Sequence, residues 1–228
     1  MQIRMYTAVN KQKKFTLRMG WGGMVVYFQG TKALAVPLVT NTSILRLNLR
    51  DNWMEGMGGA AIAEMLKGNC YITEVDLSNN NLEVYGAKAI AGMLKENSTL
   101  VSLILSGNHF TDRSTEHLCP ALITNTKLQH LDLSYNALGE SAGEHLGDAL
   151  SENTGLRSLN LAWNCIRQKG AAMLANGLGV IHLDMNVSER NIPCQSKSLK
   201  SVTVIAVLLC QQRWKKSCQS PMDVFINR

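Results

Sequence analysis

The frame L-x-x-L-x-L-x-x-N-x-L recurs five times at a constant spacing of 28 residues, and it restricts the fold more than any other feature of the 228-residue chain. Its copies are Ile44, Leu47, Leu49, Asn52, Met54; Ile72, Val75, Leu77, Asn80, Leu82; Leu100, Leu103, Leu105, Asn108, Phe110; Leu128, Leu131, Leu133, Asn136, Leu138; and Leu156, Leu159, Leu161, Asn164, Ile166. After each copy the apolar period lengthens from two to the helical value, as in Ala87, Ile90 and Leu94, which share one helix face. Thr31, Leu34 and Leu38 extend the helical pattern backwards, so repeat character runs from about residue 30 to residue 178. A repeat this short cannot bury its apolar face alone, and only stacking of neighbours makes a core.

A short strand, a helix and a second strand parallel to the first form a βα coil whose crossover is expected to be right-handed. Neighbouring strands lie ~4.8 Å apart whereas packed helices need ~8 to 10 Å, so stacking bends the array with strands inside and helices outside.

The wording of the repeat, L-x-x-L-x-L-x-x-N with G-A-x-x-I/L-A-x-x-L-x-x-N after it, resembles the ribonuclease-inhibitor type of leucine-rich repeat. NOD-like receptors and the Ran GTPase-activating protein carry the same type, and the sequence is most similar to the leucine-rich repeat-containing protein 74 group. The resemblance implies an α/β leucine-rich repeat solenoid, a right-handed βα horseshoe of 28-residue repeats with a parallel concave sheet and convex helices. It also implies a binding role. The expected organisation is an irregular basic arm over 1–29, a repeat domain over 30–178 made of a half repeat and five strand units, and an irregular basic tail over 179–228 with room for one short strand at 180–185.

Charge is segregated. Residues 1–50 hold eight Lys/Arg and no acid, residues 51–186 hold eight against fifteen Asp/Glu, and residues 187–228 hold seven against two. An acidic body between basic arms argues against a DNA-binding face on the repeats and leaves the arms as the only segments suited to RNA or an anionic membrane. The six cysteines show no C-x-x-C pair and no zinc-ligand spacing, which fits reduced thiols in a cytoplasmic protein. The longest uninterrupted apolar run, Val204 to Cys210, is far shorter than the ~20 residues that span a bilayer. The five-residue stretch MVVYF is too short for the apolar core of a secretion signal.

No phosphate loop, nucleophile elbow or Cys/His cluster occurs, and no enzyme, cofactor or metal is expected. His117 and His145 share a helix column, but helices ~8 to 10 Å apart cannot bring both imidazoles within ~2.1 Å of one ion. Asp76 and Asp132 share a strand column two repeats apart, roughly 9.6 Å, the outer limit for a carboxylate pair. Asn52 and its equivalents are expected to form a buried ladder of amides. Asn41, Asn69, Asn97, Asn125 and Asn153 are expected to close the helices in the left-handed conformation. Pro120 and Pro37 are expected to kink, shorten or weaken their helices.

Function falls to the concave face. Alternation along each strand aims Arg46, Asn48 and Arg50 outward, then Glu74 and Asp76, Ile104, His130 and Asp132, and Asn160, with Tyr135 and Trp163 one column further on. Tyr, Trp and Arg dominate binding hot spots, so a protein partner is expected to centre on His130, Tyr135 and Trp163 rather than on the Arg46 and Arg50 end. For Trp163 the competing expectation is a cap over the open end of the array. The resemblance supplies one alternative from another class, regulation of a small GTPase by the loops after the strands. Uncapped ends also suit self-association.

Overall fold

The computed structural model describes residues 14–16 and 28–178. Strands of three residues alternate with helices in the order β1 (Lys14–Thr16), α1 (Phe28–Val39), β2 (Arg46–Asn48), α2 (Glu55–Gly68), β3 (Glu74–Asp76) and α3 (Glu83–Glu96). The array continues with β4 (Ser102–Ile104), α4 (Asp112–Thr124), β5 (His130–Asp132), α5 (Glu140–Glu152), β6 (Ser158–Asn160) and α6 (Gln168–Gly177). The strands form one sheet in the order β1-β2-β3-β4-β5-β6, every pair parallel. From β2 onward the register matches residues 28 apart, Leu47 with Val75 and Leu131 with Leu159.

The central residue of each strand from β2 to β6 points inward, and with Leu49, Leu77, Leu105, Leu133 and Leu161 it packs against the inner faces of the helices in one continuous core. Each fully buried leucine contributes roughly 1.5–3 kcal/mol, and the contribution exists only where the next repeat covers it. The strong helix contacts accordingly join each helix to its neighbours along the array. Between α5 and α6 the backbones nearly touch. A Cβ added at Gly143 would lie 2.6 Å from the Gly170 Cα, and one at Gly147 would lie 2.5 Å from the Met173 carbonyl oxygen.

Two asparagine ladders carry the polar side of this packing. In the first, Asn80 donates to the Leu49 carbonyl of the preceding repeat at 2.8 Å while its oxygen accepts the Asn52 N–H at 3.0 Å. Asn108 and Asn136 repeat the pattern, and Asn164 continues it toward the Leu133 carbonyl. The expected ladder is present.

The second ladder corrects the expectation of left-handed helix caps. Asn69, Asn97, Asn125 and Asn153 follow their helices with extended backbone, φ between −91° and −69° and ψ between 112° and 126°. Their conformation is set by two sets of hydrogen bonds rather than by a turn. The Asn97 oxygen accepts the Thr99 and Leu100 N–H groups at 2.9 and 2.8 Å, and its amide donates to the Leu66 carbonyl of the preceding repeat at 2.7 Å. Extended backbone carries the chain directly toward the next strand, which a left-handed cap would turn away.

Three further expectations meet the structure. The segment read as an irregular arm contains β1, whose Phe15 is buried and whose register with β2 is offset by 32 residues rather than 28. Helix α4 does not end early at Pro120 but runs to Thr124, as far as its neighbours run relative to their closing asparagines. Pro120 is exposed, so the Glu116 carbonyl that loses its helical partner lies on the outer side of the array, where water can replace it. Helix α1 likewise passes through the exposed Pro37. The candidate strand at 180–185, residues 1–13 and 17–27 of the arm, and the tail from 179 lie outside the described residues. Among the described residues no helix is long and apolar enough to cross a membrane.

Candidate functional site

Parallel register turns the sequence repeat into columns on the concave face. The first residues of the strands align as Arg46, Glu74, Ser102, His130 and Ser158, and the third residues as Asn48, Asp76, Ile104, Asp132 and Asn160. Ser102, Ile104, His130, Asp132, Ser158 and Asn160 line one open groove across β4, β5 and β6. Four expected site residues, Ile104, His130, Asp132 and Asn160, are thus brought together, and they lie in the C-terminal half of the sheet.

The third column has a local task that the sequence reading did not assign. The side-chain oxygen of Asn48 accepts the Arg50 N–H at 3.1 Å, Asp76 accepts that of Ser78 at 3.0 Å, Asp132 that of Ser134 at 2.8 Å and Asn160 that of Ala162 at 3.1 Å. Each bond folds the strand exit. Ser78 and Ser134, which strand alternation alone would aim outward, are buried because their hydroxyls close on the same carboxylates at 2.6 Å. The second oxygen of Asp132 accepts from the Asn160 amide at 3.0 Å. Asp76 and Asp132 are therefore turn-forming acceptors separated by Ile104, an arrangement unsuited to acid/base work as a pair. An Asp or Asn at the last strand position of four copies, two residues before the turn, was the available signal.

Beyond the fold of each exit stands a residue with left-handed backbone: Asp51 (φ 59°), Asn79 (54°), Gly107 (66°), Tyr135 (54°) and Trp163 (58°). Asp and Asn tolerate this region and glycine is free to adopt it, whereas a bulky side chain there costs roughly 1–2 kcal/mol. Glycine at 107 also leaves room for the Asn79 side chain, whose Oδ1 atom a Cβ there would displace. It also follows the one strand whose third residue, Ile104, has no oxygen to hold the turn.

Gly107 divides the column into unlike halves. On one side the Asn79 amide donates to Asp51 at 2.8 Å. On the other, the rings of Tyr135 and Trp163 stack with centroids 5.5 Å apart and an interplanar angle of 15°. The two aromatics remain 61% and 58% exposed, which sets them apart from the core.

The expected residues at the other end are engaged internally. Arg46 pairs with Glu74 at 3.0 Å and Arg50 with Asp51 at 3.2 Å, all four half-exposed. These pairs satisfy the guanidinium charges before any partner arrives. On the convex side His117 and His145 are half-buried rather than fully solvated. Thr115 gives its only hydroxyl proton to the Asp112 carbonyl at 2.6 Å, so the His145 Nδ1 atom 3.0 Å away must be the donor to Thr115. That nitrogen is thereby removed from metal ligation. Among the described residues no three His, Cys, Asp or Glu side chains converge as a metal site would need.

Comparison with known proteins bears on the repeats. The family model described as Leucine Rich repeat matches residues 40–63, 68–91, 96–119, 124–147 and 152–175, together more than half of the chain. No curated protein matches. Among solved structures, the leiomodin-1 actin-binding site 2 is similar with a TM-score of 0.55 at 20% identity, covering 82% of this chain and 97% of that one. The tropomodulin C-terminal domain of Caenorhabditis elegans is similar with a TM-score of 0.56 at 13% identity, covering 65% and 91%. At these identities the likeness is one of fold.

Proposed function

The chain belongs to the leucine-rich repeat family, and from that premise we propose that it is a scaffold that holds a protein partner on its concave face, centred on Tyr135 and Trp163. The observation that carries the proposal is the stacked pair, two bulky aromatics kept exposed on left-handed backbone. Neither their burial nor the turn explains the choice of residue, since Asp, Asn and Gly serve the same position in the other repeats at lower backbone cost. A rigid apolar platform beside the polar groove of His130, Asp132 and Asn160 suits a partner that buries one large side chain on the rings and hydrogen-bonds below them. Glu74, Asp76, Arg46 and Arg50 then form the rim, where charges chiefly set on-rate and salt dependence.

The similar leiomodin-1 domain is an actin-binding site, which makes actin the first partner to test. Cosedimentation with filamentous actin and pull-down of monomeric actin by the full chain give the baseline, and affinity capture with the full chain supplies other candidates. With any partner recovered, Tyr135→Ala and Trp163→Ala are expected to weaken binding by ~2 kcal/mol or more each, and Arg46→Ala by less than ~1 kcal/mol. The reverse order overturns the assignment of the site. Regulation of a small GTPase is the alternative, supported by the resemblance in the repeats and by no particular residue. Single-turnover GTP hydrolysis with candidate GTPases distinguishes it. Kinship with the leucine-rich repeat-containing protein 74 group is supported by the wording of the repeats, and a cytoplasmic location by the free thiols of Cys70, Cys119 and Cys165.

A further inference from the structure

One strand breaks the rule that folds the others. At the last strand position Asn48, Asp76, Asp132 and Asn160 each accept an N–H group two residues on, but β4 ends in Ile104, which has no acceptor. Gly107, which enters the left-handed region at no steric cost, offsets the missing bond. Ile104 is half-buried and lines the groove rather than the core, so packing does not explain the exchange of a turn-forming residue for an apolar one. A departure from local structure that a neighbouring residue compensates marks a position with another task.

The surroundings of Ile104 have a defined chemistry. In register it lies between Asp76 on β3 and Asp132 on β5, which are roughly 9.6 Å apart across two strand spacings. Both carboxylates are held in place, each accepting with one oxygen the N–H and the hydroxyl of the serine two residues on. The other oxygen of Asp132 accepts from Asn160, and among the described residues nothing donates to that of Asp76. From β3 to β6 the strand residues and the three that follow each strand include Glu74, Asp76 and Asp132 and no Lys or Arg. Glu74 is paired with Arg46. Arg157, one residue before β6, lines a different hollow with Leu150, Leu156 and Leu178. The groove has a volume of about 460 Å³, room for a long side chain.

Building on the reading of the concave face as a partner site, we propose that the groove over Ile104 takes a basic side chain of that partner, arginine in preference to lysine. The apolar stem lies on Ile104, and the cation reaches the carboxylates on either side, Asp132 in the groove and Asp76 at its rim. A head group above Ile104 is about 5 Å from either neighbouring strand, within reach of both. The guanidinium suits this seat better than an ammonium, because it is more weakly hydrated and its planar fork bonds a fixed carboxylate through two N–H groups. An acidic guest would meet two like charges. An uncharged apolar guest would cover Ile104 but bury Asp132 without a counter-charge.

The test is selection of a displayed random-peptide library on the full-length chain, with the enriched peptides remade to carry citrulline, the uncharged isostere of arginine. Citrulline is expected to weaken binding to the wild type at least about tenfold and to have little effect on the Asp76→Asn, Asp132→Asn double variant. That variant keeps its turns, because asparagine already serves the position at Asn48 and Asn160. Ile104→Asn supplies the acceptor that β4 lacks, so it should fold at least as well as the wild type in thermal melts and still bind the peptides about tenfold more weakly. Enriched peptides without a basic residue, or a citrulline effect of the same size in wild type and double variant, overturn the proposal. If such peptides still weaken with Tyr135→Ala and Trp163→Ala, the concave scaffold stands and only the basic guest is rejected. If they are indifferent to the aromatic pair as well, both readings fall.

Discussion

Replacing Asn108 with leucine tests whether the asparagine ladder holds neighbouring repeats together. The side chain is fully buried, donates to the carbonyls of Leu77 (2.9 Å) and Leu105 (3.0 Å), and accepts from the N–H groups of Asn80 (3.0 Å) and Leu82 (3.4 Å). Leucine fills similar space but offers neither function. The two carbonyls each keep a second partner, Leu77 from Asn80 and Leu105 from Asn136, so their loss is that of ordinary hydrogen bonds, about 0.5–1.5 kcal/mol each. The Asn80 N–H and the more weakly bound Leu82 N–H keep no acceptor and stay buried, at about 2 kcal/mol together. The expected loss is about 3–5 kcal/mol, placed in the middle of the array, where a weakened junction also separates the two halves. At the half-buried Asn164, where water can take over the exposed groups, the same change should cost about 1–2 kcal/mol. Urea unfolding followed by far-ultraviolet circular dichroism measures both, with a broadened or biphasic transition expected for Asn108→Leu. Equal losses at the two positions, or less than about 1 kcal/mol at Asn108, would refute the reasoning.

Other expectations follow from packing and burial. Gly92→Ala in α3 meets nothing within 4 Å and should raise stability by about 0.5–1 kcal/mol, whereas Gly147→Ala forces α5 from α6 and should lower it by about 1–2 kcal/mol, both read from thermal melts. Among the described residues the buried Thr31 hydroxyl has no hydrogen-bond partner, so Thr31→Val should stabilise the first helix by about 1 kcal/mol in the same assay. Burial, helped by Asp148, pushes the Cys119 thiol from 9.0 up to about 12. In native protein at about pH 8, thiol reagents should modify the exposed Cys70 and Cys165 quickly and Cys119 only at the rate of opening, as read by peptide mass spectrometry. Because the folded value is the higher one, the stability linked to this thiol is complete below pH 9.0 and declines as pH rises toward 12.

The sequence by itself determined the architecture from β2 to α6, since a five-fold period of 28 is local information that needs no knowledge of contacts. It also located the buried ladder at Asn52 and its equivalents, and it put Tyr135 and Trp163 in one column, where the structure stacks them. Strand β1 escaped that period because it is offset by 32 residues; FTLR at 15–18 against LNLR at 47–50 was the trace it left. Tertiary structure alone decided the rest. Asn97 is extended rather than left-handed because its amide reaches a carbonyl one repeat away, a partner no local propensity contains. Asp76 and Asp132 became parts of turns, and Arg46 and Arg50 became paired, through neighbours fixed only after the strands align. The seating of Tyr85 against Gly56 of the preceding helix was hidden for the same reason: periodicity tells which residues face inward, while the company kept by those facing outward depends on the spacing of the stacked repeats.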